Sequence, residues 1–568
     1  MKKIFENLNK GNILFVACFA LIILGGLWLR LSIINFPIWY DEGCSIATAI
    51  NSFPTGINNY LWNYDFQHTP FYFYILHYIM QFFGDSEFIL RISSVIISML
   101  LLPLTYIVTT KLSSSKKIGL VAMLLMTVNT FQVLYSIEIR MYPYTILLAL
   151  LSINYLIDYD RKGDIPSLVK LSVVNILNPY FLTGSIIFTL AEFIIYSSYL
   201  DYKKAEPKKL QNYIWANIIT ILCYIPYFII VGHYAIVRSK FLITDLSNFE
   251  IMNLWGLLQN IFSADPGHIH ETRHEGFTNN FQTIALVFMP LIVMFTGLIN
   301  SLRDKEKLNT VILGIITLTF GIFLWAANAK VIAFTGRYLI FITPFVFILT
   351  AIGLSKFNKY VFATIIFIYS CLCIYGLHQT YETYEKIAYY SLKAPAEYVK
   401  KNYIGKDNLV IMPFASSVSF YYFKGENMPR VMPLELFHEV RNPDNTNFYN
   451  EEQRQQLKTG DKYKVFQNII TSDNYISENF KKHMQSEIDK VPHGGYIIWI
   501  IYYTDNYALT TKENVQNMFR NYDNVKAHVT TGMLSKFDLD LIKILEPQAR
   551  LIKTDRDESN SYIILQKR

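Results

Sequence analysis

Two short segments combine acids with groups that could handle protons or anions. Trp39-Tyr40-Asp41-Glu42 sets two carboxylates side by side. Adjacent carboxylates at an apolar boundary repel and lose hydration, which favours one of them holding a proton or taking a metal. As a general base, such a group could deprotonate an acceptor hydroxyl or amine. The ordinary alternative is that Asp41 and Glu42 cap or solvate the start of a helix. The second segment, Tyr135-Ser-Ile-Glu138-Ile-Arg140-Met-Tyr142, places an acid two residues before a guanidinium. Arg140 could neutralise a phosphate through two parallel hydrogen bonds. Glu138 could be a second acid or a ligand to a divalent cation. Alternatively, the two form an interfacial pair at a helix hairpin, with Tyr142 and its neighbours anchored among headgroups.

Three further sites join them. Gln67-His68-Thr69-Pro70 opens an aromatic run to Phe83, which reads as a helix lying along the membrane interface. There His68 either meets substrate or makes a hydrogen bond at the helix start. Gly336-Arg337-Tyr338 stands at the outer end of a late apolar span. Arg337 could hold a lipid phosphate, with Tyr338 beside it, or snorkel to the headgroups. His270-Glu271-Thr272-Arg273-His274 fits the H-E-x-x-H spacing of zinc metalloproteases. Pro266-Gly267 just before it argue against the firm helix that such a site needs. A looser use of His268, His270 or His274 for metal or phosphate stays open.

The elements that must position these groups are membrane spans. The 568 residues are 52% apolar and only 17% charged, and their mean hydropathy is +0.25; a soluble domain averages about 25% charged. The apolar residues gather in runs long enough, or nearly so, to cross a hydrocarbon core about 30 Å thick. A soluble enzyme, a disordered chain and a collagen-like repeat are excluded. Runs fall near 13–34, 88–110, 117–135, 142–157, 166–178, 182–200, 212–234, 281–300, 309–327, 338–354 and 360–377. That makes about eleven crossings, the split at Asn178-Pro179 being the one at which a kink is the alternative. With the N-terminus inside, every inside loop carries Lys or Arg, among them Lys10, Lys111, Arg161, Lys203, Arg303 and Lys356. The first run is too long for a secretory signal core and reads as an uncleaved helix. The +7 net charge follows from these loops, and no basic stripe interleaved with aromatics points to nucleic acid. The five cysteines imply no disulfide framework.

The fold class expected is therefore a polytopic α-helical membrane protein with a C-terminal extracytoplasmic α/β domain. Residues 1–377 form the transmembrane domain, with outside loops at 35–87, 135–143 and 233–281. Residues 378–568 form the outer domain, with strands at 408–412, 496–502 and 562–565 and helices near 477–489 and 512–521. A large outside surface with a membrane floor suits a substrate that is half lipid and half polar.

Together these pieces resemble the GT-C glycosyltransferases, in particular the protein O-mannosyltransferase and aminoarabinose transferase type (glycosyltransferase family 39). Leu29-Arg30 followed by Trp39-Tyr40-Asp41-Glu42 looks like that family's acidic first loop. His68-Thr69-Pro70 resembles its His-Pro-Pro segment, with Thr for the first Pro. Gly84-Asp85-Ser86-Glu87-Phe88 with Leu90-Arg91 is similar to the start of its second span. Tyr135–Tyr142 looks like the second acidic loop, and Arg337-Tyr338 like the late Arg-Tyr helix start. The resemblance covers about residues 13–377 and leaves the C-terminal domain without a counterpart. It implies a polyprenyl-phosphate-linked sugar as donor, inversion at the anomeric carbon, and an extracytoplasmic acceptor that is a protein, a lipid or a cell-envelope glycan. Asp41 would be the base, Glu138 a second acid (on a divalent Mg, Mn or Zn ion, if one is used), and Arg140 or Arg337 the partner of the lipid phosphate. The absence of Trp-Trp-Asp-Tyr-Gly argues against an oligosaccharyltransferase.

A transporter or flippase of lipid-linked sugars is the main rival. Transporters usually keep their binding groups at mid-membrane on paired broken helices, whereas these acids collect at one face. A protease built on His270, Glu271 and His274 is the lesser rival. The chain is expected in the cell (inner) membrane with a cytoplasmic N-terminus.

Overall fold

The structure, a computed structural model, describes residues 10–63, 68–240, 258, 262, 281–303, 307–329, 336–386, 392–412, 418, 421–433, 451, 455, 478–502, 541, 543–556 and 560–568. The chain forms two compact units. One comprises Met1–Phe36, Thr48–His233 and Asp245–Tyr384; the other comprises Pro37–Ala47, Tyr234–Thr244 and Glu385–Arg568. The His270–His274 pattern and the helix expected near 512–521 lie outside the described residues.

The first unit is a helical bundle. Among the described residues, six of its helical stretches are long and apolar enough to cross a membrane: Ile13–Leu31, Glu87–Ser113, Thr183–Tyr202, Leu308–Asn328, Gly336–Leu354 and Lys359–Gln379. Its first helices are α1 (Lys10–Leu31), α2 (Tyr40–Ala49, which begins in the second unit), α3 (Thr55–Asn63), α4 (Phe71–Phe83) and α5 (Glu87–Ser113). Helix α4 covers the aromatic run to Phe83 that the sequence marks as helical. Ser86 caps α5 by accepting from the Ile89 N–H at 3.4 Å.

Several expected spans are broken, each for a local reason. The run at 117–135 is two helices, α6 (Lys116–Val128) and α7 (Thr130–Tyr135). Asn129 takes an extended backbone and caps α7, its Oδ1 accepting from the Gln132 N–H at 3.0 Å. After α8 (Tyr142–Lys162), α9 (Ile165–Leu177) ends at Asn178-Pro179, and two short 3₁₀ turns lead into α10 (Ile186–Tyr202). The Thr145 hydroxyl donates to Asn178 Oδ1 at 2.6 Å and fixes that break. The run at 212–234 divides into α11 (Pro207–Cys223) and α12 (Ile225–Lys240). Pro226, the second residue of α12, has no N–H to give back to the preceding turn, and the break falls just before it. Helices α13 (Phe281–Arg303) and α14 (Lys307–Asn328) follow, then a 3₁₀ segment, Gly336–Ile342, that leads into α15 (Thr343–Leu354). Every residue of α15 is buried, as its apolar sequence on all sides requires. Helix α16 (Lys359–Lys386) is the last of the bundle.

The second unit holds α17 (Lys393–Asn402), β1 (Leu409–Met412), β2 (Arg430–Pro433), α18 (Glu478–Asp489), β3 (Tyr496–Tyr502), β4 (Ala549–Arg556) and β5 (Asn560–Lys567). The sheet order is β2-β1-β3-β5-β4. Strand β1 pairs in parallel with β2 and β3, whereas β5 pairs antiparallel with β3 and β4. Leu409–Met412, Ile497 to Ile500 and Tyr562 to Leu565 are buried, which is why these strands read as unbroken apolar runs. The expected strands at 408–412, 496–502 and 562–565 are present; β2 and β4, the two edges, are additions that the sequence did not announce.

Candidate functional site

In the first unit the site is built on the six residues between α7 and α8. An interfacial pair at a helix hairpin is one of the two readings of this segment; all six residues are buried within the unit. Glu138 is 5% exposed and Arg140 4%. The turn begins as α7 ends, where the Ser136 and Ile137 amides bond back to the carbonyls of Gln132 and Leu134 at 3.1 and 3.2 Å. It closes at α8, whose early Pro143 suits a first helical turn. Ser94 on α5 donates to the Glu138 carbonyl at 2.7 Å and holds the turn at its acid. Tyr142 is buried, edge-on to Tyr135 with ring centroids 5.0 Å apart.

Arg140 Nη2 lies 3.1 Å from His68 Nε2. A guanidinium only donates, so Nε2 accepts, and the imidazole proton sits on Nδ1. The sequence motif therefore delivers His68 to Arg140 across 72 residues. Thr69 supports that placement, donating to the Pro179 carbonyl at 3.1 Å. Arg337 opens the 3₁₀ segment and lies over the ring of Tyr338 at 5.6 Å. That segment packs against α8, and its successor Thr343 accepts a hydrogen bond from Gln132 on α7.

Helix α5 carries a second support. Arg91, 2% exposed, donates to the Ile34 carbonyl at 3.0 Å and to the Phe36 carbonyl. Seven residues along, Ser98 accepts from Arg30 Nε at 3.0 Å. Arg91, Ser94 and Ser98 share one face of α5 and fix, in turn, the end of the first loop's lead-in, the Glu138 turn and α1. Sequence reading assigned Arg91 no role of its own; an arginine in the first turn of an apolar span is the signal that could have found it.

Asp41 and Glu42 belong to the second unit. Glu42 is 1% exposed, and its Oε2 accepts from the Trp39 N–H at 3.2 Å. Glu42 thus caps the start of its own helix, the ordinary role weighed for this pair. The neighbouring Asp41 is half-buried, and its backbone carbonyl accepts from Ser45 Oγ at 3.2 Å.

A buried carboxylate that the sequence reading passed over is Glu192 on α10. It accepts from Asn175 Nδ2 at 2.9 Å and from Ser152 Oγ, and so links α8, α9 and α10.

The described residues do not make a donor set for Mg, Mn or Zn. Among them no group of three or more His, Cys, Asp or Glu side chains could hold a metal ion. Glu138 also shares its turn with a guanidinium that competes for its charge, and His270 and His274 are outside the described residues.

The fold is that of a polytopic α-helical membrane protein with a C-terminal α/β unit. The solved structures it matches include ArnT from Cupriavidus metallidurans bound to undecaprenyl phosphate, with a TM-score of 0.50 at 10% identity over 97% of each chain. The apo form of the same ArnT gives 0.51 at 9% identity, again over 97% of each chain. A looser likeness, with a TM-score of 0.46 at 12% identity over 93% of this chain and 72% of the other, is to the oligosaccharyltransferase AglB from Archaeoglobus fulgidus in complex with an inhibitory peptide and a dolichol-phosphate. At such identities the likeness is one of fold. No protein-family model matches the chain, and no curated protein matches it.

Proposed function

We propose that this protein is an inverting glycosyltransferase that takes a sugar from a polyprenyl-phosphate carrier and passes it to an extracytoplasmic acceptor. In this reading residues 1–377 are the catalytic membrane domain and 378–568 an outer domain. The N-terminus is in the cytoplasm, and the chain resides in the cell membrane. The acceptor is a protein, lipid or envelope glycan whose hydroxyl or amine lies near the membrane surface.

Asp41 takes the acceptor proton. The acceptor atom attacks the anomeric carbon from the side opposite the phosphate, the bond from that carbon to the phosphate oxygen breaks, and the lipid phosphate leaves with the electron pair. Negative charge grows on the departing phosphate, and fixed positive groups lower the barrier most where water is excluded. Arg140 and Arg337 supply that charge, with His68 holding the Arg140 guanidinium. Glu138 balances the site and orients the acceptor. The observation that carries this reading is the buried Glu138–Arg140 turn with His68 against the guanidinium. A buried guanidinium held by a histidine is a fixed cation of the kind that a departing phosphate needs. The fold shared with ArnT, a protein solved with undecaprenyl phosphate, supports the same class of carrier.

The test is direct. The purified protein in lipid nanodiscs is given undecaprenyl-phosphate hexoses and pentoses together with a cell-envelope fraction. Free undecaprenyl phosphate should accumulate, and the product's anomeric configuration, read by NMR, should be opposite to the donor's. Movement of intact donor between leaflets with no bond cleavage would support the transporter reading instead.

A further inference from the structure

The segment bearing Asp41 and Glu42 lies early in the chain, yet Pro37–Ala47 folds with the C-terminal unit. Two contacts hold it there. The Ile38 N–H donates to the Tyr422 hydroxyl at 2.8 Å, across 384 residues of sequence. Gly43, in the first turns of α2, sits directly on Val418. A β-carbon at Gly43 would stand 2.6 Å from Val418 Cγ2 and 3.0 Å from the Val418 backbone nitrogen. Ile38, Val418 and Tyr422 are buried, so neither contact can be replaced by water.

We infer that the C-terminal unit is the holder of the acidic helix, with Tyr422 and the Val418–Gly43 contact as positioning elements for Asp41. The amide three residues before Asp41 is fixed by a hydrogen bond, and the backbone two residues after it is fixed by close packing. The turn that carries the carboxylate is therefore held at both ends. Tyr422 acts through the Ile38 backbone and is a positioning residue. The inference rests on the reading above that Asp41 does the chemistry, and it gives the C-terminal unit a part in catalysis whether or not it also binds acceptor.

Cys44, half-buried on the same helix, is a built-in reporter. Tyr422→Phe, Gly43→Ala, the double variant Gly43→Ala with Val418→Ala, and Asp41→Asn are made in the full chain. Each is measured twice: for sugar transfer from the undecaprenyl-phosphate donor, and for the alkylation rate of Cys44 by a charged maleimide, read on the Cys44 peptide by mass spectrometry. Tyr422→Phe and Gly43→Ala should lower kcat roughly ten- to a hundredfold, the usual effect of a small misplacement, with the donor KM unchanged. Cys44 should label faster in both, and Val418→Ala should restore part of what Gly43→Ala loses. Tyr422→Phe keeps the ring, and so tests the inference even if Gly43→Ala fails to fold. Unchanged labelling and unchanged transfer in Tyr422→Phe, beside an inactive Asp41→Asn, would overturn the holding role and leave the functional reading standing. Faster labelling with full transfer, beside an active Asp41→Asn, would overturn the functional reading on which the inference rests.

Discussion

The ring of His68 accepts a hydrogen bond from the guanidinium of Arg140, Nε2 to Nη2, at 3.1 Å. The pairing orients a buried guanidinium, which the proposed function sets against an oxyanion. If that oxyanion is the lipid phosphate, Arg140→Ala should raise the donor KM about ten- to a hundredfold, the range expected for lost charge-assisted hydrogen bonds. Arg140→Lys should recover little, because an ammonium cannot reproduce the planar fork. His68→Ala should have a smaller effect in the same direction. Steady-state kinetics on the three variants decide it, and an Arg140→Lys enzyme with the wild-type KM would argue against phosphate binding there.

Arg91 is a second buried guanidinium, this time on the carbonyls of Ile34 and Phe36. Replacing it with Met removes its hydrogen bonds to two backbone carbonyls, at a cost of about 1–3 kcal/mol. Thermal unfolding in detergent should show a lower midpoint for Arg91→Met than for Ser94→Ala, which forfeits one neutral hydrogen bond to the Glu138 carbonyl. Equal midpoints would mean that the lead-in to the acidic loop is held by something else.

Glu192 joins three helices through Ser152 and Asn175. Glu192→Gln keeps an oxygen acceptor and should cost less than about 1 kcal/mol. Glu192→Leu strands both donors and should cost roughly 2 kcal/mol, with less folded protein recovered from membranes. Transfer per folded molecule should be unchanged in both, since Glu192 takes no part in the proposed chemistry.

The C-terminal unit should weaken at alkaline pH. Its Lys553 donates to Asp555 at 3.1 Å, and that bond raises the lysine's pKa. Tyr398 is shifted upward too, by burial first and then by its hydrogen bond to the same Asp555. Both groups hold their protons more tightly folded than unfolded, so their contribution is complete below the unfolded values of about 10 to 10.5 and fades as the pH rises through the higher folded ones. The difference in melting temperature between wild type and Lys553→Met should be constant from pH 7 to about 9 and shrink above about 10.5. A difference that grows with pH would have the wrong sign.

Much of the fold could be read from the chain because lipid imposes long apolar runs and Lys and Arg mark their ends. The breaks within those runs were harder to see. Asn129 and Pro226 are visible in the sequence, but whether such a residue interrupts a helix depends on what its side chain meets, here Gln132 and the preceding turn. Strand β4, Ala549–Arg556, escaped notice because an edge strand has no need of an apolar run. Among the candidate residues, Asp41, Glu138, Arg140 and His68 are of types suited to acid and phosphate chemistry and stand out by spacing. Their supports do not. Arg91, Ser94 and Tyr422 act through backbone atoms that are 44 to 384 residues distant, and no local pattern records such partners. Glu42, adjacent to Asp41 and likewise a carboxylate, is the more deeply buried of the two and accepts a hydrogen bond from the Trp39 amide.

The central claim is that Asp41 removes the acceptor's proton. Single-turnover transfer with the donor prebound and the acceptor saturating isolates that step. Asp41→Asn keeps the size and the neighbours but cannot take a proton, so its rate should fall by about a hundredfold or more while donor binding is retained. Glu42→Gln, which keeps an oxygen for the Trp39 amide, should stay within a few-fold of wild type. An Asp41→Asn protein that transfers sugar at the wild-type single-turnover rate would contradict the account.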